Sequence, residues 1–210
     1  MLAHFPDFLF AYGDAEFIPH DMTPRGLISL ALHSSRGSIY LINGDMNQEE
    51  IRNAQDAGSL WRRENVWSKL PRLADGSLDQ MHLNVVSYAD LRNSVAMYFE
   101  DVTNRRAARE SVGFIADHGT QDMQRVHNLW DNDWSRMPAS VPRRPFQDIA
   151  TLEDISGVRM GRLPNGLELP AQDPRGQHHA LRDAEHDKVV HDFLLEHSHA
   201  VRVASGVVAV

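Results

Sequence analysis

The segment Phe8-Leu9-Phe10-Ala11-Tyr12-Gly13-Asp14-Ala15-Glu16-Phe17-Ile18 constrains the fold of this chain more than any other. Its first half is almost wholly apolar, as a central strand covered on both faces of a sheet must be. It ends abruptly in carboxylates at i and i+2. Side chains alternate along a strand, so Asp14 and Glu16 share one face. Like charges held side by side repel and resist desolvation, and a cation between them relieves both costs. A strand running out into solvent shows the same Asp-x-Glu pattern. The pair therefore reads as a metal site only if more carboxylates and a base follow.

The rest of the chain organises around this strand. Residues 27–32 and 38–42 read as two further strands, joined by a tight turn with Gly37 where a positive φ is needed. Three short strands in succession predict an antiparallel meander. Residues 47–57 form a candidate polar helix, and residues 61–70 carry two Trp and a Lys-Leu-Pro end. Tyr88, Leu91, Val95, Tyr98, Phe99 and Val102 recur at helical spacing, and Ser87 with Asp90 reads as a capping box before them. Residues 112–116 predict a fourth strand. A turn at Gly119 leads to a helix over 122–130, its buried face being Met123, Val126, Leu129 and Trp130. Prolines mark a loop at 138–145, and a strand or short helix follows at 146–152. Residues 156–177 form a Gly- and Pro-rich excursion. A last helix over 178–197 presents Leu181, Ala184, Val190, Phe193, Leu194 and His197. A meander followed by alternating helix and strand predicts one α/β domain with a mixed sheet.

With 210 residues the chain can bury one substantial core. Its formal net charge of −8 argues against nonspecific grip on long nucleic acid, which relies on phosphate neutralisation. Local Arg clusters or bound cations would have to offset that field. Candidates are Arg62-Arg63, Arg143-Arg144, and Arg105-Arg106 with Arg109, the last group reading as a solvated face. The absence of Cys excludes disulfides and thiolate metal sites. Neither a secretory apolar region nor a membrane-spanning run is evident, so a cytoplasmic protein without membrane contact is expected. The apolar, Gly-interrupted 201–210 segment reads as an edge strand, an interface segment or a loose tail.

Further carboxylates do follow. Asp122 opens the helix after the fourth strand; Asp117 competes for its role, but the Gly119 turn and the spacing to Trp130 favour Asp122. Asp183 lies on the first turns of the last helix, five residues after His178. On a helix that spacing rotates side chains about 140° apart, so His178 fits better in the loop leading into it, free to swing over the site. His179 is the competing base, but its fifth residue on is Ala184, not an acid. His186, His191, His197 and His199 lack the pairing of a zinc helix and read as surface or interface residues. Carboxylates on three separate elements with one mobile His fit a two-metal phosphoryl-transfer centre. Hard oxygen donors select Mg²⁺ or Mn²⁺ over Zn²⁺. His178 is suited to take the proton from attacking water.

The order Asp-x-Glu, Asp, His-x4-Asp resembles the DEDDh 3′–5′ exonucleases of the ribonuclease H-like superfamily. It is similar above all to small bacterial RNase AS-type exoribonucleases, and more distantly to oligoribonuclease and RNase T. Asp14-Ala15-Glu16-Phe17-Ile18 is similar to the family's Asp-Thr-Glu-Phe-Ile. Trp61, Val66, Lys69, Leu70 and Pro71, with Arg63 between, resemble a Trp-x4-Val-x2-Lys-Leu-Pro pattern. Asp122 and Trp130 resemble the second acidic motif and its helix. His178-His179-Ala180-Leu181-Arg182-Asp183-Ala184 is similar to His-Asp-Ala-Leu-Val-Asp-Ala. The likeness spans roughly residues 8–197.

This resemblance implies an α/β, ribonuclease H-like fold whose five-stranded mixed sheet joins the meander to two parallel strands. The exonuclease domain would cover 1–198, with 199–210 a C-terminal tail. It implies Asp14, Glu16, Asp122 and Asp183 as ligands of two Mg²⁺ ions, with Mn²⁺ as a substitute, and His178 as general base. Phe17 would lie against the terminal nucleobase. Ala15, replacing the usual Thr, would contribute through its backbone near the 3′-terminal sugar, with weakened contact. The implied activity is hydrolysis of single-stranded RNA ends or short oligoribonucleotides to nucleoside 5′-monophosphates by a homodimer. A 3′–5′ exodeoxyribonuclease is the nearest alternative. A noncatalytic RNA-binding module would predict a lost ligand, and a structural oligomer would melt independently of metal.

Overall fold

The computed structural model describes residues 8–53, 55–104, 111–143 and 146–204. Arg105, Arg106, Arg109, Arg144 and residues 205–210 lie outside that range. β1 (Phe8–Phe17) is central to a sheet completed by β2 (Leu27–Ser34), β3 (Gly37–Asn43), β4 (Val85–Val86), β5 (Ser111–Ala116) and β6 (Phe146–Asp148). The order across the six strands is β4-β3-β2-β1-β5-β6. β1, β2 and β3 form the expected antiparallel meander, while β5 and β6 run parallel to β1. The sheet thus switches from antiparallel to parallel at β1. β4 is a sixth strand beyond the five expected, parallel to β3. A two-residue strand carries no periodicity to read. It is fixed by backbone pairing, Ile42 N–H to the Asn84 carbonyl and Gly44 N–H to that of Val86, both at 2.8 Å.

Alternation along β1 decides which layer each side chain enters. Leu9, Ala11 and Ala15 pack with Leu91, Val95, Phe99 and Val102 of α3 (Tyr88–Asn104) and Met123 and Val126 of α4 (Thr120–Asn128). Burying each large aliphatic or aromatic side chain of the α3 stripe contributes about 1.5–3 kcal/mol. Ser87 starts α3: its Oγ accepts the Asp90 N–H at 3.1 Å and donates to the Asp90 carboxylate at 2.7 Å. Tyr12, from the other face of β1, packs with Ile149 and Leu152 of α5 (Ile149–Ile155) and with Ala180, Ala184, Val190 and Leu194 of α6 (Ala180–His197). A third cluster, including Ile28, Ile42, Ile51, Val66 and Trp67, fixes α1 (Gln48–Arg52) and the turn that follows α2 (Ala57–Asn65) near the ends of β2 and β3.

Two differences from the sequence reading matter. Residues His199–Ala204 form a helix, α7, with Val201 fully buried, so the described part of the 201–210 segment is neither an edge strand nor a loose tail. His191, read as a surface or interface residue, is instead fully buried on the inner face of α6, where its Nδ1 lies 2.9 Å from the Tyr12 hydroxyl. Gly13 has a steric reason to be in the central strand. A Cβ there would stand 2.4 Å from Cζ of Phe114. No helix among the described residues is long and apolar enough to cross a membrane.

Candidate metal centre and cleft

β1 pairs with β5 only as far as Tyr12, yet continues to Phe17. Past Tyr12 its edge would be open on that side. The gap is closed by Asp122 of the first turn of α4, whose Oδ1 accepts the Ala15 N–H at 3.0 Å. One carboxylate thus replaces the missing strand and is carried to the acidic end of β1. Asp122 is only 6% exposed.

Asp14 and Glu16 belong to the same alternate set as Tyr12 and so face α6, which carries Asp183. His178 precedes that helix in a left-handed conformation, φ 60°. Glu16, His178 and Asp183 each present a potential ligand atom within 4.8 Å of one another. Together with Asp14, Ala15, Phe17 and Asp122 they line one cleft of about 520 Å³, shared with Trp61, Arg62, Asp117, His118 and Gln121. Every residue the sequence reading placed at the site therefore meets in one cavity. Asp117 reaches it too, although it is exposed whereas Asp122 is buried. His179 takes another direction, stacking on Tyr40 at 4.4 Å between ring centroids.

The electrostatics fit a cation. Asp14 Oδ2 is sealed from solvent and has no hydrogen-bond partner. Burial, followed by repulsion from Asp122 and Glu16, holds the Asp14 carboxyl well above the usual range. Burial and the charges of Asp183 and Asp122 push Glu16 to about 8. Burial pushes Asp122 to about 7, against the lowering effect of the Ala15 hydrogen bond. Asp183 is raised by burial and partly relieved by the Gln172 side-chain amide, which donates to its Oδ1 at 2.5 Å. An unpartnered sealed oxygen among mutually repelling carboxylates is a donor set suited to hard divalent cations.

Supporting residues were less legible. Arg125, 3% exposed, donates to the carbonyls of Asp21 at 2.5 Å and Ile18 at 3.1 Å, and lies over the Phe17 ring at 4.4 Å from its centroid. It clamps the turn after β1 and backs the aromatic wall. Its position three residues after Asp122 was the available signal. Asp187 is buried one helical turn after Asp183 and accepts the Asp117 N–H at 3.1 Å, which fixes the turn between β5 and α4. Burial, then the Asp117 charge, pushes Asp187 to about 8. Gln172 comes from the 156–177 excursion, where nothing in the pattern marks it.

No protein-family model matches this sequence, and no curated protein matches it. Among solved structures the chain is similar to exonuclease I from Methylocaldum szegediense, at 14% identity and TM-score 0.55, over 94% of this chain and 43% of that one. It is also similar to exonuclease I in its apo form, at 10% identity and TM-score 0.52, over 92% of this chain and 43% of that one. A third likeness is to an exonuclease I whose structure suggests how processivity is achieved, at 10% identity and TM-score 0.54, covering 92% and 42%. This chain spans less than half the length of those exonucleases. The likeness establishes the shared fold, which is the ribonuclease H-like α/β arrangement expected from the sequence.

Proposed function

We propose that this chain is a divalent-metal-dependent 3′–5′ exonuclease that shortens single-stranded nucleic acid, with RNA ends or short oligoribonucleotides as its substrate. The convergence of Asp14, Glu16, Asp122, Asp183 and His178 on one cleft carries this reading. The motif resemblance and the exonuclease fold of the neighbours support it. Mg²⁺ or Mn²⁺ held by the four carboxylates would supply Lewis acidity to the phosphate and a more acidic bound water.

The chain's own groups do the rest. Asp14 and Glu16 project from a strand pinned on one side by β2, and Asp122 is fixed by the Ala15 N–H. Such anchoring limits the reorganisation needed as charge develops. His178, at the loop before α6, takes the proton from the attacking water. Phe17, held by Arg125, offers its ring to the terminal nucleobase. The Ala15 N–H is already committed to Asp122, so backbone contact with the terminal sugar falls to its carbonyl. A homodimer belongs to the same proposal and is read by sedimentation.

The test incubates 5′-labelled single-stranded RNA and DNA with Mg²⁺, Mn²⁺ or EDTA, using wild-type, Asp14→Ala and His178→Ala proteins. The expected result is a ladder shortened from the 3′ end that EDTA and Asp14→Ala abolish. His178→Ala should slow it by about 10²–10⁴-fold. Undiminished cleavage by both variants rejects the assignment. DNA is the second reading, favoured by neighbours named as exonucleases rather than ribonucleases. Faster cleavage of the DNA ladder would select it.

A further inference from the structure

We infer that Arg62 binds a phosphate of the substrate strand, the one on the 5′ side of the scissile phosphate; this rests on the nuclease reading above. The cleft wall carries the carboxylates of Asp14, Glu16, Asp117, Asp122 and Asp183, and among the described residues Arg62 is the only Lys or Arg lining it. Cations held by the carboxylates serve the scissile phosphate, and a further phosphate of the strand, in a chain of net charge −8, is attracted by a fixed positive group at the cleft.

The surroundings of Arg62 keep its charge available. Its Nη2 donates to Ser59 Oγ at 3.0 Å. The nearby acid is otherwise engaged: Asp56 Oδ1 accepts the Ser59 N–H at 2.9 Å and Oδ2 accepts the Ser59 hydroxyl at 2.5 Å. The guanidinium is therefore aimed by a neutral hydroxyl, and among the described residues it forms no ion pair. Arg175 and Arg182, by contrast, are each paired with a carboxylate at 2.7 Å. Gly58 lines the cleft beside it, and a Cβ there would only reach van der Waals contact with Nη1, at 3.7 Å. A planar guanidinium held this way suits forked recognition of phosphate.

Its place in the cleft selects the phosphate. The scissile group belongs beside Glu16, His178 and Asp183. Trp61 closes that end, its ring edge-on to His178 at 4.6 Å between centroids. Arg62 lines the cleft beside Trp61, which already stands against His178, and is therefore assigned to the next phosphate along the strand.

The test compares wild-type, Arg62→Gln and Arg62→Lys proteins, with Arg136→Gln as a control whose side chain is ion-paired to Asp131. Substrates are a trinucleotide and a dinucleoside monophosphate, which has only the scissile phosphate. Kinetics are measured in Mg²⁺ and binding by fluorescence anisotropy in Ca²⁺ across a salt series. Arg62→Gln should raise KM for the trinucleotide about tenfold with kcat kept. It should also reduce the slope of log affinity against log salt by about 0.7. Arg62→Lys should retain most of that slope, and the dinucleoside monophosphate should not distinguish the variants. Equal losses on both substrates, an unchanged salt slope, or a fall in kcat with KM kept overturns the assignment. Failure of the wild-type protein to cleave any 3′ end would instead reject the nuclease reading, while the binding measurement still reports on Arg62.

Discussion

Replacing His191 with Phe should remove a pH dependence from the stability of this protein. The imidazole is fully buried, with its Nδ1 2.9 Å from the Tyr12 hydroxyl and its ring edge-on to Phe10 at 4.9 Å between centroids. Burial pushes its pKa from 6.5 to about 4. In the unfolded chain the imidazole takes up a proton near pH 6.5, whereas the folded protein holds it neutral down to about 4. Between those values the unfolded state binds more protons, so stability is complete above pH 6.5 and declines as pH falls. At about 1.4 kcal/mol per pH unit the full decline is about 3 kcal/mol. Because the ring has no exposed surface, solvent screening does not discount that figure. The assay is urea denaturation of both proteins at intervals from about pH 7.5 to 4.5, with EDTA throughout. At the upper end His191→Phe leaves the Tyr12 hydroxyl without this partner and should be less stable by about 1–3 kcal/mol. The gap should close as the wild type loses stability with falling pH. Parallel curves across the whole range would refute the reasoning, as would an NMR titration of His191 near pH 6.5.

The acidic cleft gives the opposite slope. Burial and repulsion raise Glu16 and Asp187 to about 8 and Asp122 to about 7, so above pH 4 the metal-free folded state binds more protons than the unfolded one. Stability held at low pH is thus lost as pH rises toward 8. Scanning fluorimetry should show Mg²⁺ or Mn²⁺ raising Tm more at pH 8 than at pH 5, and an equal rise at both would contradict the account. Gln172→Leu removes the amide that holds Asp183 and should weaken Mn²⁺ binding about 10- to 100-fold by calorimetry. Unchanged affinity would mean that Gln172 does not orient Asp183. Gly13→Ala would drive a methyl to 2.4 Å from Phe114 Cζ and 3.2 Å from Leu32 Cδ2. A loss of about 1–3 kcal/mol in denaturant is expected, and Phe114→Leu should restore part of it.

The local parts of this fold were written in the sequence. The apolar run before Asp14 and Glu16 specified a central strand. Its period of two put both acids on one face, and the spacing in α3 named the side that packs on the sheet. The order of Asp14, Glu16, Asp122, His178 and Asp183 was sufficient to collect the candidate site, because each stands beside a recognisable strand end, turn or helix start. Tertiary structure decided which polar groups were sealed in. His191 read as a surface or interface residue and nothing singled out Asp187, yet the buried face of α6 runs through Ala180, Ala184, Asp187, His191 and Leu194. Likewise only packing let Asp122, 107 residues away, stand in for a strand partner to Ala15, and set the Gln172 amide against Asp183. A polar side chain has the same sequence signature in water as in a buried seam. Its partner, supplied from a distant segment, is what makes burial affordable, and that partner exists only once the layers have closed.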